Sequence, residues 1–160
     1  MINKVEKKSI LLIVFLLAFC IIIFIGLIYW DISKVEDLGI INVDNDNSIV
    51  YSMPQTKQEN GYTIIEGAYA FIPGEEIKTF NTYVVLQDVE SKNCFKIPTI
   101  NKKEEKINED YISDIDYSNS GFSAYVKSNK LDFKNKKYQV LIWYGNDKHN
   151  SYVYTGIYID

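Results

Sequence analysis

The feature that most constrains this chain is an uninterrupted apolar segment close to its N-terminus. Ser9 to Trp30 (SILLIVFLLAFCIIIFIGLIYW) contains 22 residues and no charged side chain. At about 1.5 Å per residue a helix of this length reaches about 33 Å, enough for the roughly 30 Å hydrocarbon core of a bilayer. A segment with no polar face is a poor buried helix for a soluble protein. The sequence therefore predicts one transmembrane helix over residues 9–30.

The flanking residues predict the orientation of that helix. Lys4, Lys7 and Lys8 precede it, and the excess of positive charge marks the cytoplasmic side. Tyr29 and Trp30 close the segment, where aromatic rings favour the membrane–water interface. We expect a single-pass protein of the cell membrane, with residues 1–8 in the cytoplasm and everything after the helix outside.

Two alternatives to an uncleaved anchor are a cleaved signal peptide and a lipoprotein signal. A signal peptide has a shorter apolar region and a cleavage site with small residues, and the segment has neither. Leu17 to Cys20 resembles a lipobox, but Phe19 stands where a small residue belongs. Ten further uncharged residues follow Cys20, so cleavage there would leave the new N-terminus inside the bilayer. An anchor fits the residues best.

Composition limits the partners and cofactors of the remaining chain. All 17 basic residues are lysine against 21 acidic ones, giving a net charge of −4, and three of those lysines precede the apolar segment. The outer part is therefore acidic and lacks arginine, which argues against nucleic acid as a partner. Cys20 and Cys94 fall in different compartments, so no disulfide is expected, and no cofactor or Cys/His metal spacing is predicted.

The residues after the helix divide into a polar segment and a β-rich domain. Residues 31–60 are mostly polar with two short apolar islands, and are interpreted as a membrane-proximal stalk with room for an edge strand. Met53-Pro54 is a predicted break. Residues 61–160 form the predicted extracytoplasmic domain.

Strand patterns dominate residues 61–160. Gly67 interrupts the first strand as an expected bulge, and Asn101 to Asp110 is an expected exposed loop or single helical turn. The predicted strands are 61–73, 82–88, 94–97, 121–126, 137–144 and 151–159. With an edge strand from the polar segment, these predict an all-β, antiparallel immunoglobulin-like β-sandwich of about seven strands.

A resemblance to a family rests on the same strands. The succession IIEGAYAFIPG, YVVLQD, SGFSAYV, then Leu131 and YQVLIW, resembles the small immunoglobulin-like modules of membrane-anchored surface and envelope proteins of Gram-positive bacteria. The resemblance covers residues 62–158 and implies a β-sandwich. Some such modules accompany the synthesis of cell-surface polysaccharide. No catalytic residue is carried over from them.

Aromatic residues of the last hairpin are the candidate ligand-binding residues. The chain has 13 tyrosines and two tryptophans, and alternation places several on one face. Such a row can stack on sugar rings or fill a partner's pocket, although tyrosine also packs well across strands. The candidates are Trp143, Tyr152, Tyr154 and Tyr158.

Two further positions are candidates for chemistry. Asp114 and Asp116 are two residues apart, so on a strand both carboxylates would share a face and could hold a metal. His149 is the single histidine, and no nucleophile motif accompanies it, so a solvated turn residue is the better interpretation.

These observations predict a non-catalytic, membrane-anchored binding or interaction module of the bacterial cell envelope. Its expected partner is a surface glycan or another envelope protein. The alternative is an accessory subunit or enzyme acting on cell-surface polysaccharide, for which Asp114 and Asp116 are the candidate site.

Overall fold

The computed structural model describes residues 4–52 and 55–160. The chain forms two compact units, one ending at Lys34 and one comprising Val35–Asp160. The predicted break at Met53-Pro54, residues 1–3, and the side chains of Lys4, Lys7, Lys8 and Tyr29 lie outside the described residues.

The first unit is a single helix, α1, which extends from Lys4 to Ile32. Its stretch Ser9–Leu27 is long and apolar enough to cross a membrane, and every side chain there is exposed. Trp30, near its end, is 75% exposed. The prediction of one apolar N-terminal helix is confirmed.

The described part of the second unit contains ten strands in two antiparallel sheets. The strands are β1 (Glu36–Ile40), β2 (Val50–Tyr51), β3 (Gln55–Glu59), β4 (Tyr62–Phe71), β5 (Tyr83–Asp88), β6 (Asn93–Lys96), β7 (Thr99–Lys102), β8 (Gly121–Lys127), β9 (Tyr138–Gly145) and β10 (Asn150–Ile159). A short helix, α2 (Lys106–Asp110), precedes β8. The first sheet has the order β1-β6-β5-β9-β10, and the second has β2-β4-β8-β7, with β3 pairing with β4 as well.

Alternation along the strands builds the core between the two sheets. Phe122, Ala124 and Val126 of β8 face inward, and each is at most 2% exposed. Residues of β9 meet them from the first sheet: Tyr138, Val140, Ile142 and Tyr144. One contiguous apolar layer therefore holds the sheets together.

A bulge in β4 lies where the sequence predicts it. The pairing register between β4 and β8 shifts between Ile65 and Ala68, and Gly67 lies there with φ +67°. Glycine adopts this left-handed conformation without the steric cost that a side chain imposes. The shift places Ala68, like Ile65, in the core.

The predicted boundary at residue 60 does not separate a stalk from the β unit. The segment contributes β1, β2 and β3, whose strands pair with β6 and β4. The described residues thus form ten strands where the sequence predicts about seven. β3 and β7 are difficult to detect from the sequence, because β3 is exposed at every position and β7 at all but one, so neither alternates between apolar and polar residues.

Candidate functional site

The predicted aromatic residues lie together on the outward face of the first sheet. In the β9–β10 pairing, Tyr152 lies opposite Trp143, Tyr154 opposite Leu141, and Tyr158 opposite Gln139. Directly opposed residues of an antiparallel pair project to the same face. The four candidate ligand-binding residues therefore share one face of the sheet.

Three of the rings on this face are in mutual contact. The Trp143 ring lies 5.8 Å from that of Tyr83 and 4.5 Å from that of Tyr152, centroid to centroid. Lys96 Nζ lies 4.3 Å from the Tyr83 ring centroid. Burial is the larger cause, and a hydrogen bond with Tyr152 the second, that raises the pKa of Tyr83 well above its ordinary value. The rings are packed against one another and only partly open to solvent.

A segment that begins in the second half of β1 covers much of the same face. Residues 38–46, which we call the strap, pass from the β6 edge, where Ile40 pairs with Asn93, to the β10 edge, where Asn45 bridges to Tyr152. Along this path the side chains of Leu38, Ile41 and Val43 pack on a cluster of buried and half-buried residues. That cluster contains Val85, Cys94, Leu141, Tyr83, Tyr152 and Tyr154.

Hydrogen bonds attach the end of the strap to β10. Asn45 Oδ1 accepts from the Tyr154 amide at 3.1 Å, and the Ser151 hydroxyl donates to the Asp44 carbonyl at 3.3 Å. Under the strap Cys94 is fully buried, and burial raises the pKa of its thiol. The strap makes most of this outward face a second, smaller core.

Tyr158 differs from the other candidates. It follows Gly156, whose φ is +76°, after the register shift between Tyr154 and Tyr158. Its side chain is 46% exposed, and Lys137 Nζ lies 5.2 Å from its ring centroid. Among the predicted binding residues, Tyr158 is the most accessible to a partner.

The β unit also has a polar cavity at one end, which we call the loop-end cavity. Three connections contribute to it: residues 72–82 between β4 and β5, 103–120 between β7 and β8, and 146–149 between β9 and β10. Its volume is about 300 Å³. The lining residues are Gly74, Glu75, Glu76, Lys78, Ile115, Asn146, Asp147 and Lys148.

Glu75 is the central group of this cavity. Its carboxylate contacts His149 Nδ1 at 3.1 Å through Oε1 and at 3.2 Å through Oε2, and accepts from Asn146 Nδ2 at 3.0 Å. The Glu75 side chain is 16% exposed and that of His149 is 41% exposed. The side-chain amide of Asn146 also donates to the Tyr144 hydroxyl at 3.3 Å. His149 is thus a partner of a half-buried carboxylate and not a freely solvated turn residue.

Close backbone packing positions this cluster. A Cβ atom added at Gly145 would lie 2.9 Å from the Asn81 carbonyl oxygen, so only glycine lets these loops approach so closely. The backbone amide of Asn146 donates to the His149 carbonyl at 2.8 Å and closes the β9–β10 turn. On the other side, the buried Tyr117 hydroxyl accepts from the Gly74 amide at 2.7 Å.

The predicted metal candidates lie near this end but outside the cavity lining. Asp116 Oδ1 accepts from Asn108 Nδ2 at 2.6 Å and from the Ser118 amide at 2.9 Å. The Asn108 hydrogen bond is the largest cause that lowers the pKa of Asp116 to about 2. Asp114 is exposed. Asp116 therefore stabilises the turn before β8, and Asp114 projects into solvent.

Metal-ligating side chains do not converge elsewhere in residues 4–52 and 55–160. No group of three or more His, Cys, Asp or Glu residues there could hold a metal ion. Asp114 and Asp116 remain a prediction from sequence to which the geometry adds no third ligand.

Comparison with known proteins gives no family assignment. No protein-family model matches the chain, and neither the curated proteins nor the solved structures gave a match.

The loop-end cluster was missed by sequence reasoning. Glu75 and His149 are 74 positions apart and belong to different loops, so no spacing motif links them. The available signals were turn residues, Pro73-Gly74 and Gly145-Asn146, each beside one member of the pair. Each of these signals predicts a turn, and neither identifies the partner loop.

Proposed function

We propose that this protein is a non-catalytic binding module, anchored in a bacterial membrane by α1 and exposed on the outer side of the cell envelope. One observation carries the proposal: the β unit has a cavity lined mainly by charged side chains open at its loop end, while the strap packs on most of the aromatic face of its first sheet. Ligand-binding sites are usually concave and largely formed before the ligand arrives.

The orientation of the anchor is supported by charge. Lys4, Lys7 and Lys8 precede the apolar stretch of α1, and the cytoplasmic side of a single-pass protein carries such an excess. The β unit begins at Val35, directly after the helix, and would then be extracytoplasmic.

Strand order supports an immunoglobulin-like sandwich of the kind that the sequence resembles. Without β1, the first sheet has the order β6-β5-β9-β10. The second has β4-β8-β7, with β2 and β3 on the free edge of β4. With β4 taken as strand B, these match the C′-C-F-G and A-B-E-D sheets of that fold, whose loop ends often carry binding sites. The extra strand β1 and the strap are additions to this arrangement.

The cavity lining suits hydrogen bonding to a ligand. Its described residues provide carboxylates, amines and an amide, which together can accept and donate. The alternative of an enzyme acting on surface polysaccharide relied on Asp114 and Asp116, and neither lines the described cavity. We therefore propose recognition of an envelope component without its chemical conversion.

The test is binding by the full chain reconstituted in lipid nanodiscs. Isolated wall polysaccharides and purified envelope proteins are titrated, and saturable binding of one component is expected. Protease treatment of intact cells should remove the β unit and spare α1. Protection of the β unit in intact cells, or release of free polysaccharide fragments on incubation, would contradict the proposal.

A further inference from the structure

The loop-end cavity has the properties of a site prepared before its ligand arrives. Glu75 is held by His149 on one side and Asn146 on the other, and Asn146 is held in turn by the buried Tyr144. Side chains whose positions are set by neighbouring hydrogen bonds lose little freedom on binding. The cost of ordering such a site has already been met by folding.

The carboxylate still has acceptor capacity for a ligand. A carboxylate offers about four lone-pair positions. His149 contacts both oxygens of Glu75 and Asn146 contacts one. These contacts leave about one position, and the side chain is 16% exposed and lines the cavity. Glu75 can therefore accept hydrogen bonds from hydroxyl groups of a bound molecule.

The charges of the lining select against strongly charged ligands. Glu75, Glu76 and Asp147 are acidic, whereas Lys78 and Lys148 are basic. Lys78 Nζ and Glu76 Oε2 lie 4.0 Å apart, so each charge partly cancels the effect of the other on a ligand. Such a nearly balanced lining neither attracts a polyanion, which needs clustered cations, nor concentrates carboxylates around a metal.

A mixed lining suits a ligand whose groups both donate and accept. Hydroxyl groups do both, so they can donate to Glu75 while accepting from Lys78 or Lys148. Ile115 adds an apolar wall against which the C–H face of a ring can pack. The volume of about 300 Å³ lies at the lower end of ligand pockets and fits a small unit of a chain.

We infer that the loop-end cavity, with Glu75 as its central acceptor, binds a neutral, hydroxyl-rich group, namely a terminal or side-branch residue of an uncharged envelope glycan. This inference rests on the proposed binding function and adds to it the site and the class of ligand. The carboxylate accepts from ligand hydroxyls, and the lysines donate to others.

The experiment is an oligosaccharide array of neutral, amino and acidic members, probed with the full chain in nanodiscs. The wild-type chain is expected to bind neutral oligosaccharides selectively. Glu75→Gln replaces one acceptor oxygen of the carboxylate with a donor NH₂ group. The dissociation constant should rise at least tenfold. Glu90→Gln makes the same chemical change in the exposed turn after β5, at the opposite end of that strand, and should leave binding unchanged.

A second variant protects the test against a folding defect. His149→Gln keeps a donor beside Glu75, and its circular dichroism and unfolding midpoint are measured together with those of Glu75→Gln. Binding equal to wild type in a folded Glu75→Gln chain would overturn the site. Selective binding of anionic glycans would overturn the ligand class. Binding to an envelope protein alone would overturn this inference while leaving the proposed binding function intact.

Discussion

The outward face of the first sheet and the loop end of the same unit present contrasting kinds of surface. The sheet face has the aromatic rings that usually mark a binding site, yet the strap packs on it and its Leu141 and Cys94 are fully buried. The loop-end cavity is open, and Ile115 is the one large apolar side chain among its described lining residues. Residue type therefore does not identify the binding surface here, because the deciding quantity is what else in the chain covers it.

Leu141→Ala gives the most severe test of the covered face. The side chain is fully buried between Val85 and the residues of the strap, so truncation leaves a cavity. We expect the free energy of unfolding to fall by about 2 to 5 kcal/mol. Urea unfolding of the full chain in detergent, followed by Trp143 fluorescence in a Trp30→Phe background, measures it.

Tyr158→Ala is the matched control on the same face, because this ring is 46% exposed. Its removal should change the free energy of unfolding by no more than about 0.5 kcal/mol. Equal losses for Leu141→Ala and Tyr158→Ala would show that the strap does not make this face a core.

Asp88→Asn removes a buried structural charge, and its effect can be compared with that of changing the more exposed Glu75–His149 pair at the loop end. The Asp88 carboxylate, at the far end of β5, is 2% exposed and pairs with Lys136, which holds its pKa well below the ordinary value. It also accepts from the Glu90 and Ser91 amides at 2.9 and 3.2 Å. Losing hydrogen bonds to a charged group should cost about 1.5 to 3 kcal/mol of unfolding free energy.

The same carboxylate predicts a pH dependence. Because the pKa is lowered in the folded state, the stabilisation is complete above the unfolded value of about 3.9 and is lost as pH falls below it. Urea midpoints between pH 5 and pH 2.5 should therefore decline more steeply for wild type than for Asp88→Asn. Parallel declines would show that another carboxylate dominates acid unfolding.

Ile41→Ser tests the strap directly. Ile41 is half-buried against the cluster around Cys94. Replacing it with serine should therefore lower the free energy needed to open the strap locally by about 1 kcal/mol. Local opening of that size corresponds to about fivefold faster labelling of Cys94 by a maleimide in a Cys20→Ser background. Ile40→Ser is the control, because Ile40 is 75% exposed, and it should label at the wild-type rate.

Glu75→Gln should have a small effect on stability and the largest effect on binding. A partly exposed carboxylate–imidazole pair contributes no more than about 1 kcal/mol to folding, so its unfolding midpoint should remain near that of wild type. A loss comparable to that of Leu141→Ala would assign Glu75 a structural role and blur the contrast between the two regions.

Much of the fold could be predicted because strong local patterns agree with it. The inward faces of β8 and β9, the bulge at Gly67 and the helix over residues 9–30 all follow from period and residue type. The exposed strand β3 and the strap could not be predicted in this way. Polar or short apolar runs acquire their structure from a partner strand or face, and no local period records that partner.

The sequence by itself determined the apolar helix, the mostly β character of the rest and the sharing of one face by Tyr152 and Tyr154, because each depends on neighbours a few positions away. The tertiary structure alone decided that the strap covers this face and that Glu75 meets His149 across two loops. Both are contacts between residues far apart in the chain, and such contacts exist only once the sheets have packed and brought the loops together.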